Sequence, residues 1–512
     1  MKLKKDFILI VIIFILAVAI RAWPEIKGGF WPIGYDTFNT YAPEILKFDG
    51  NFLRWILSAN LLYFLIWPFY KIWAIDPYLL VKIFGPVLYG LLSVGFYSFC
   101  RKYLKWRPAI AFFAAVLFLI QLPSLRMSWE LFRNMLGLIF FLPALYFLEN
   151  HQKLVKLLLL CLLSILIVLS NELVAALWFV VVLVWFLRRI AKQRFQHLWQ
   201  VLSIILPSVV LFGLVLKFAS ANNFGGHVIY LGDSNIIFGY IEVYKNTFSY
   251  WELTKIITSL FWFCYQFVLP FAILGFWHLR KNLILTTLTL WLLLGTFSSL
   301  IFGGYGLFVW SRWLWMLVIP FTIYATQGLL ITYRWAKTHR KVSRKIFKAS
   351  AALILILYLG VIAAYSLPFV ITPGKDAKPP FSNPNWPGFF PPSLIHNAVG
   401  FDNINNVIET ILYINQNTPD SSVVLIDNRY RGMVLTKMNY SKRYVYTYPW
   451  SDTISPDVLN QVRAQSKGPM YVIGSVYGTI AGFEKVFQSG QLAVFQDSIT
   501  YGIYKALYQG SL

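Results

Sequence analysis

The sequence predicts a polytopic α-helical membrane protein of about 11 transmembrane helices, with its N-terminus inside, its C-terminus outside and a C-terminal extracytoplasmic α/β domain. Of its 512 residues, 58% are hydrophobic and only 13% are charged. This composition excludes a disordered chain and is not that of a soluble globular protein. Runs approaching the roughly 20 apolar residues that cross a bilayer recur as far as residue 370.

The predicted spans follow these apolar runs along the chain. In order they are 7–22, 78–100, 108–123, 134–149, 154–170, 173–187, 201–217, 256–278, 283–302, 313–332 and 350–370. The first span has no small-residue cleavage site after it, so we interpret it as a retained membrane anchor. Together with a first outer loop at 23–77, these spans form a predicted transmembrane domain of residues 1–370.

The distribution of charge predicts which way the spans face. Lys and Arg gather at the N-terminus and in every second short connection. These segments together carry 22 of the 45 basic residues and are therefore assigned to the inner side. Of the 21 acids, only Asp6 and Glu149 fall on that side. The net charge of +24 is explained by this orientation of the spans, and we expect no nucleic-acid partner.

The chain changes character after the last span. Residues 371–399 are rich in proline and are predicted to be an extended connector over the membrane surface. From residue 400 to 512, β-branched runs such as SSVVLID, RYVYTY and PMYVIGS alternate with helix-like stretches such as NINNVIETILYINQN and SPDVLNQVRAQS. This alternation predicts a small α/β domain, to which we assign no chemistry because it contains no phosphate-binding glycine motif.

The first candidate for chemistry is Asp36, in the sequence PEIKGGFWPIGYDTFNTYAPEI of the first outer loop. Glycines and a proline before the acid, with helical spacing after it, predict a turn that presents Asp36 at the start of a short helix. The alternative is that Asp36 only caps that helix. The apolar stretch FLRWILSANLLYFLIWPFYKIW, later in the same loop, is interrupted by polar residues and is predicted to lie along the membrane surface.

Two further outer turns carry acids. The turn SLRMSWELFRN holds Glu130 between Arg126 and Arg133, and guanidinium groups bind phosphate oxygens while a carboxylate accepts a proton or binds a cation. The alternative is an ion pair at the start of a helix. The turn SNEL places Glu172 almost at the membrane boundary, where a carboxylate needs a polar partner unless it only caps the next span.

The fourth candidate is Arg312, in FGGYGLFVWSRWLWMLVIP. A glycine-rich turn before one arginine suits a phosphate carried on a lipid. The alternative is an arginine that extends to the interface within a belt of tryptophans, Trp310, Trp313 and Trp315.

Several functional classes find no support in the sequence. The six histidines are scattered without ligand spacing, the three cysteines lie in apolar runs, and there is no GxxxxGK[ST] nucleotide motif. Acids are nearly absent from the spans, whereas an ion-coupled transporter would be expected to place some near the midplane. These absences lower the case for a metalloprotein, a nucleotide-driven pump or a transporter.

Three segments, GYDTFNTYAPE, SWELFRN and WSRWLWMLVIPFTIYA, together with the order of spans and outer domain, resemble the GT-C superfamily of integral-membrane glycosyltransferases. Protein O-mannosyltransferases, the aminoarabinose transferase that acts on lipid A and oligosaccharyltransferase catalytic subunits are members. The resemblance implies transfer of a sugar from a polyprenyl-phosphate-linked donor to a glycan, lipid or protein acceptor on the outer face. The chain lacks the WWDYG signature and a paired acid in the second turn, which disfavours oligosaccharide transfer to asparagine.

The same resemblance assigns roles to the candidate residues. Asp36 is the expected general base, and Glu130 corresponds to the acid that in some members binds a cation and in others orients substrate. The resemblance leaves open whether the protein uses a divalent cation, Mg or Mn, held by Asp36 and Glu130. The remaining assignments are the donor phosphate to Arg126, Arg133 and Arg312, and substrate binding to Tyr35, Tyr41 and Glu172.

Two other functions stay open at this stage. A non-catalytic protein that binds or translocates polyprenyl-linked lipids would use the same arginines for phosphate, together with the surrounding membrane lipids. A scaffold for envelope assembly would instead act through its outer domain.

Overall fold

The computed structural model describes residues 2–46, 52–57, 60–150, 153–192, 198–219, 228–230, 236–237, 241–244, 248–307, 309–339, 343–376, 391–397, 399–439, 442–448, 454, 456–465, 468–477, 480 and 482–498. The first part of the chain is almost entirely helical. Its helices are α1 Lys2–Lys27, α2 Ala42–Leu46, α3 Phe52–Leu57, α4 Leu61–Trp73, α5 Pro77–Lys102, α6 Pro108–Ile120, α7 Leu122–Glu130, α8 Phe132–Glu149, α9 Leu154–Ser170, α10 Glu172–Ala191, α11 Leu198–Ala219, α12 Tyr250–Tyr265, α13 Leu269–Leu279, α14 Leu283–Ile301, α15 Trp310–Met316, α16 Val318–Thr338 and α17 Arg344–Ile371.

The chain is a multi-pass membrane protein by the length and composition of these helices. Eight helical segments in the described residues are long and apolar enough to cross a bilayer, and up to ten if two bent pairs each count as one span. The predicted spans 108–123 and 256–278 are these bent pairs, α6–α7 at 63° and α12–α13 at 84°. Pro123 and Pro270 lie in the first turn of the second helix of each pair, where proline starts a new helix readily.

Two shorter apolar helices, α4 and α9, are not among these segments. Helix α9 matches the predicted span 154–170 but has only 17 residues. Helix α4 has 13 residues and falls within the stretch predicted to lie along the membrane surface.

The helix ends divide into two sides. On one side, Asp6 near the start of α1 forms an ion pair with Arg101 at the end of α5, with 2.8 Å between Oδ2 and Nη2. The hydroxyl of Tyr103, just after α5, donates to Asn282 just before α14 on this same side. The candidate residues all belong to the opposite ends of the helices or to the loops there.

The C-terminal region is an α/β unit, as predicted. Strands β5 Val423–Asp427, β6 Tyr444–Tyr448 and β7 Met470–Ser475 coincide with the three predicted β-branched runs, and helices α18 Ile404–Asn417 and α20 Pro456–Gln465 coincide with the two helix-like stretches. Helix α19 Arg431–Lys437 and the hairpin β8 Phe483–Ser489 and β9 Leu492–Asp497 complete it. Side chains alternate between two buried faces, because Val424 and Ile426 join the main core whereas Val423 and Leu425 pack with α20.

The sheet contains one strand from outside the predicted domain of residues 400–512. The strand order is β1-β6-β5-β7-β9-β8. Strand β1, Val228–Tyr230, comes from the connection between α11 and α12 and pairs in parallel with β6. A strand added from so distant a segment carries no local signal, which explains why a division at residue 400 missed it. A second small sheet joins β2 Ile236–Ile237, β3 Ile241–Val243 and β4 Tyr305–Leu307.

Candidate functional site

The site forms where the connection between α1 and α5 meets the ends of neighbouring helices. Within residues 33–46 the chain makes a turn and then forms a π-helix, Thr37–Tyr41, which continues into α2. The turn and short helix predicted around Asp36 are therefore confirmed. The junction of α7 and α8 and the short helix α15 contact this segment, and the start of α10 contacts α8 through Arg133.

Gly34 allows the loop to approach α7 closely. Its φ is +99°, a conformation that side chains with a Cβ rarely adopt, and an added Cβ would lie 2.9 Å from the backbone oxygen of Trp129. The amide of Gly34 donates to the backbone oxygen of His396 at 2.9 Å. The turn before Asp36 therefore requires glycine on both conformational and steric grounds.

Asp36 does not cap the helix that it begins, since its side chain makes no capping hydrogen bond. Its Oδ2 instead lies 3.4 Å from Nη2 of Arg312, and the two side chains keep 22% and 25% of their surface exposed. Burial of the carboxyl and the nearby charge of Glu130 raise the pKa of Asp36 to about 6, against the opposing influence of Arg312, Arg126 and Arg133. A carboxylate with a pKa of about 6 is suited to accept a proton near neutral pH.

Glu130 is held between the loop and its own helix. Its Oε1 accepts from Nη2 of Arg126 at 2.9 Å, and its Oε2 accepts from the backbone N–H of Tyr35 at 3.2 Å. The hydroxyl of Tyr41 donates to the backbone oxygen of Glu130 at 2.7 Å. Glu130 therefore fixes the peptide next to Asp36, and burial raises the pKa of Tyr41 well above its usual value.

Arg133 pairs with Glu172 across two helices. Nη2 of Arg133 lies 2.8 Å from Oε1 of Glu172, and both side chains are about four-fifths buried. The cap of α10 is Asn171, whose side chain accepts from two backbone N–H groups of the first turn. Glu172 therefore has the polar partner that its position requires, and it is not the capping residue.

Arg312 lies inside the protein rather than in an interfacial belt. Trp310, Trp313 and Trp315 of α15 are all buried, so they do not form a lipid-facing aromatic belt around it. Its Nε is buried, and within the described residues it has no hydrogen-bond partner. Of the three arginines assigned to phosphate, Arg312 also has the longest ion-pair contact, 3.4 Å against 2.9 and 2.8 Å.

Residues 391–397, which belong to the predicted proline-rich connector, contact the site. Trp129 stacks on the ring of His396 at 6.2 Å between centroids and donates from Nε1 to its backbone oxygen. Asn397 donates to the backbone oxygen of Pro32 at 2.7 Å. Burial lowers the pKa of His396, which favours its neutral form. Residues 377–390 of the predicted connector lie outside the described part of the chain.

The C-terminal α/β unit also contacts the loop that carries Asp36. Nδ2 of Asn428 donates to the hydroxyl of Tyr35 at 3.1 Å, and the backbone N–H of Gly432 donates to Oδ1 of Asn39 at 2.8 Å. Asn428 follows the last residue of β5, so the carboxyl end of the sheet faces the site. No motif in the sequence marked this contact, because it depends on the docking of two parts of the chain 393 residues apart.

A buried ion pair in α1 holds the loop and α7 together next to the site. Nη2 of Arg21 lies 2.9 Å from Oε1 of Glu25 within α1, and both side chains are almost fully buried. Arg21 also donates from Nε to the backbone oxygen of Ser128 in α7, and Glu25 accepts from the backbone N–H of Ile33. The pair therefore joins α1, α7 and the loop. Charged residues at the outer end of an apolar span are the signal from which it could have been predicted.

The two carboxylates of the site are too few to enclose a metal ion by themselves. The described residues contain no group of three or more His, Cys, Asp or Glu side chains that could hold an ion. Asp36 and Glu130 act on each other electrostatically, but each of them already faces an arginine. A divalent cation held by these two carboxylates would take its remaining ligands from water and from the phosphate of the substrate, as Mg²⁺ commonly does, so the Mg or Mn alternative stays open.

A scan against models of known protein families and a search of curated protein sequences find no match to this chain.

Proposed function

We propose that the protein is a membrane glycosyltransferase that moves a sugar from a polyprenyl-phosphate-linked donor to a hydroxyl group of a glycan, lipid or protein acceptor. One observation carries this proposal. Asp36, whose carboxyl group has a pKa of about 6, lies 3.4 Å from Arg312, and the buried Nε of Arg312 has no hydrogen-bond partner within the described residues. A proton acceptor and an anion-binding group at one point are what transfer from a phosphate-linked sugar requires.

Arg312 is the expected partner of the donor phosphate. Phosphate oxygens bind guanidinium groups in bidentate fashion, and Nε and Nη2 of Arg312 are adjacent donors. Nη2 has only a long contact with Asp36 and Nε has none within the described residues. Arg126 and Arg133 are engaged by Glu130 and Glu172 at short distances, so Arg312 is the arginine that we assign to direct contact with the phosphate.

Asp36 acts as the general base in this reaction. The acceptor hydroxyl oxygen forms a bond to the anomeric carbon, while the bond from that carbon to the phosphate oxygen breaks and its electron pair leaves with the polyprenyl phosphate. Oδ of Asp36 takes the hydroxyl proton, and Arg312 stabilises the charge that develops on the phosphate. At pH 7, a carboxyl group with a pKa of about 6 is roughly nine-tenths ionised and ready to accept this proton.

We place this reaction on the outer face of the cell membrane, with 11 spans, the N-terminus inside and the α/β domain outside. The excess of Lys and Arg near the helix ends away from Asp36 supports this orientation. Counting α9 as a span along with the two bent pairs brings the number to 11. The polyprenyl chain would lie in the bilayer, with the phosphate and sugar at the level of the site.

The test uses the full-length protein in nanodiscs, a panel of polyprenyl-phosphate-linked sugar donors, and glycan, lipid and peptide acceptors that carry free hydroxyl groups. Release of free polyprenyl phosphate is measured for the wild type, Asp36→Asn and the matched control Asp420→Asn, which changes a carboxyl that is 65% exposed and paired with Lys442. We expect release from at least one donor, a loss of about 10²- to 10⁴-fold in Asp36→Asn and no change in Asp420→Asn. EDTA should leave the rate unchanged.

Three results would contradict this account. Donor binding without release by the wild type would favour a lipid-binding or lipid-translocating protein. Equal release by Asp36→Asn would remove the proposed base. Loss of release in EDTA, restored by Mg or Mn, would return Asp36 and Glu130 to the role of cation ligands.

A further inference from the structure

A second polar cavity lies in the outer domain, at the carboxyl ends of its parallel strands. It has a volume of about 180 Å³ and its lining includes Asn403, Asp427, Arg429, Tyr448, Ser475 and Gln491. Asp427, Tyr448 and Ser475 are the last residues of β5, β6 and β7. From β5 the chain goes to β6 on one side and then to β7 on the other, and open α/β sheets bind ligands at such a reversal of strand order.

The charges that line this cavity neutralise each other. Oδ2 of Asp427 lies 2.8 Å from Nη2 of Arg429, and its Oδ1 accepts from the backbone N–H of Arg429 at 2.7 Å. Asp427 is almost fully buried, whereas Arg429 keeps 30% of its side chain exposed. Because Asp427 and Arg429 neutralise each other, the cavity has little electrostatic attraction for a charged ligand of either sign. It therefore suits a neutral polar ligand.

The other groups around the cavity fit a neutral sugar. Asn403 and Gln491 offer amide donors and acceptors, Ser475 offers a hydroxyl, and Tyr430 and Tyr448 add aromatic rings with polar tips. A cavity of about 180 Å³ has room for several water molecules, which a ligand the size of one sugar ring would displace.

The cavity is separated from the first site by one residue of the chain. Asp427 and Arg429 line it, while Asn428 between them donates to the hydroxyl of Tyr35, the neighbour of Asp36. Segment 427–429 therefore contacts the cavity on one side and the loop of the proposed base on the other. A glycan held in the cavity would have its next unit close to the reaction.

From this juxtaposition we infer that the cavity is the acceptor subsite, which binds one neutral sugar unit of a glycan acceptor. The role of this sugar as an acceptor rests on the proposed transferase function. The binding of a neutral sugar, however, is independent of turnover. A sugar-binding subsite restricts the proposed acceptor to a carbohydrate, where the proposed function allowed any compound with a hydroxyl group.

The test measures binding of simple glycosides to the full-length protein in nanodiscs by saturation-transfer NMR, without donor. The probes are the methyl glycosides of glucose, mannose, galactose and N-acetylglucosamine. We expect at least one to bind the wild type with a Kd on the order of 1 mM. Ser475→Trp, which fills the cavity, should weaken binding at least about tenfold, and Gln491→Ala, which removes one amide, about fivefold.

Gln488→Ala is the matched control for Gln491→Ala. Gln488 lies in the same hairpin, does not line the cavity and hydrogen-bonds the backbone oxygen of Gly490. It should bind the glycosides as the wild type does. If Ser475→Trp fails to fold, Gln491→Ala against this control still decides the question.

Release of polyprenyl phosphate, measured in parallel, separates this inference from the proposed function. Active release without binding of any glycoside would overturn the acceptor subsite alone. Equal binding by wild type, Ser475→Trp and Gln491→Ala would place the sugar elsewhere and also overturn it. Glycoside binding that these variants weaken, without release from any donor, would support a sugar-binding cavity and contradict the transferase.

Discussion

Replacing Arg312 by glutamine should raise the pKa of Asp36 further and shift the pH dependence of catalysis. Arg312 lowers the pKa of Asp36, which burial and Glu130 otherwise raise to about 6. Because the base must be ionised, kcat/KM of the wild type should fall about tenfold for each pH unit below 6. Without the guanidinium charge, that fall should begin at a higher pH.

The size of the shift follows from the geometry of the pair. At 3.4 Å, two unit charges interact by about 5 kcal/mol at an effective dielectric of about 20 and by about 1.2 kcal/mol at about 80. Both side chains keep about a quarter of their surface exposed, so solvent screening places the interaction between these limits, at about 2 kcal/mol. This corresponds to about 1.5 pH units, which moves the acidic limb of Arg312→Gln to about pH 7.5.

The assay is the pH dependence of kcat/KM for polyprenyl phosphate release. The midpoint of the acidic limb is compared among wild type, Arg312→Gln and the charge-retaining control Arg312→Lys. Infrared difference spectra of the protonated carboxyl group, with Asp36→Asn as the blank, give the same titration without turnover. A midpoint that stays at about 6 in Arg312→Gln, or that moves as far in Arg312→Lys, would refute this reasoning.

Three other predictions concern the stability of the full-length protein. Gly34→Ala should lower the free energy of unfolding by about 1–3 kcal/mol because of its positive φ and the contact with Trp129, and an unchanged melting temperature would contradict this. Arg133→Ala leaves the carboxylate of Glu172 largely buried without its partner and should cost about 2 kcal/mol, part of which the double variant Arg133→Ala with Glu172→Ala should restore. The pKa of Asp36 is higher in the folded than in the unfolded protein, so its contribution to stability is lost as pH rises from about 4 to about 6. The melting temperature of Asp36→Asn should therefore exceed that of the wild type at pH 8 but not at pH 4. A higher melting temperature at pH 4 as well would show that another cause is at work.

The membrane character, the strands of the outer domain and the turn at Asp36 could be predicted because their signals are local. Apolar runs, β-branched runs and a glycine-rich turn act within a few residues of where they stand. The grouping of Asp36, Glu130 and Arg312 was predicted only from their common side and from a resemblance. The structure brings them into one electrostatic cluster.

The contacts that complete the site could not be predicted in this way. His396 reaches Trp129 from a proline-rich stretch that has the composition of a linker, and Asn428 reaches Tyr35 from a separate domain. Both depend on tertiary packing, which residue spacing does not encode. The tryptophans of α15 have the composition of an interfacial belt, yet they are buried in the protein.

The most direct test of the central claim compares turnover with donor binding in the same preparation of Asp36→Asn. If Asp36 is the base, the rate of sugar transfer in a single turnover should fall at least about hundredfold, while the Kd for the lipid-linked donor should change less than about threefold. A variant that keeps both the wild-type rate and the wild-type Kd would contradict the assignment of Asp36 as the catalytic base.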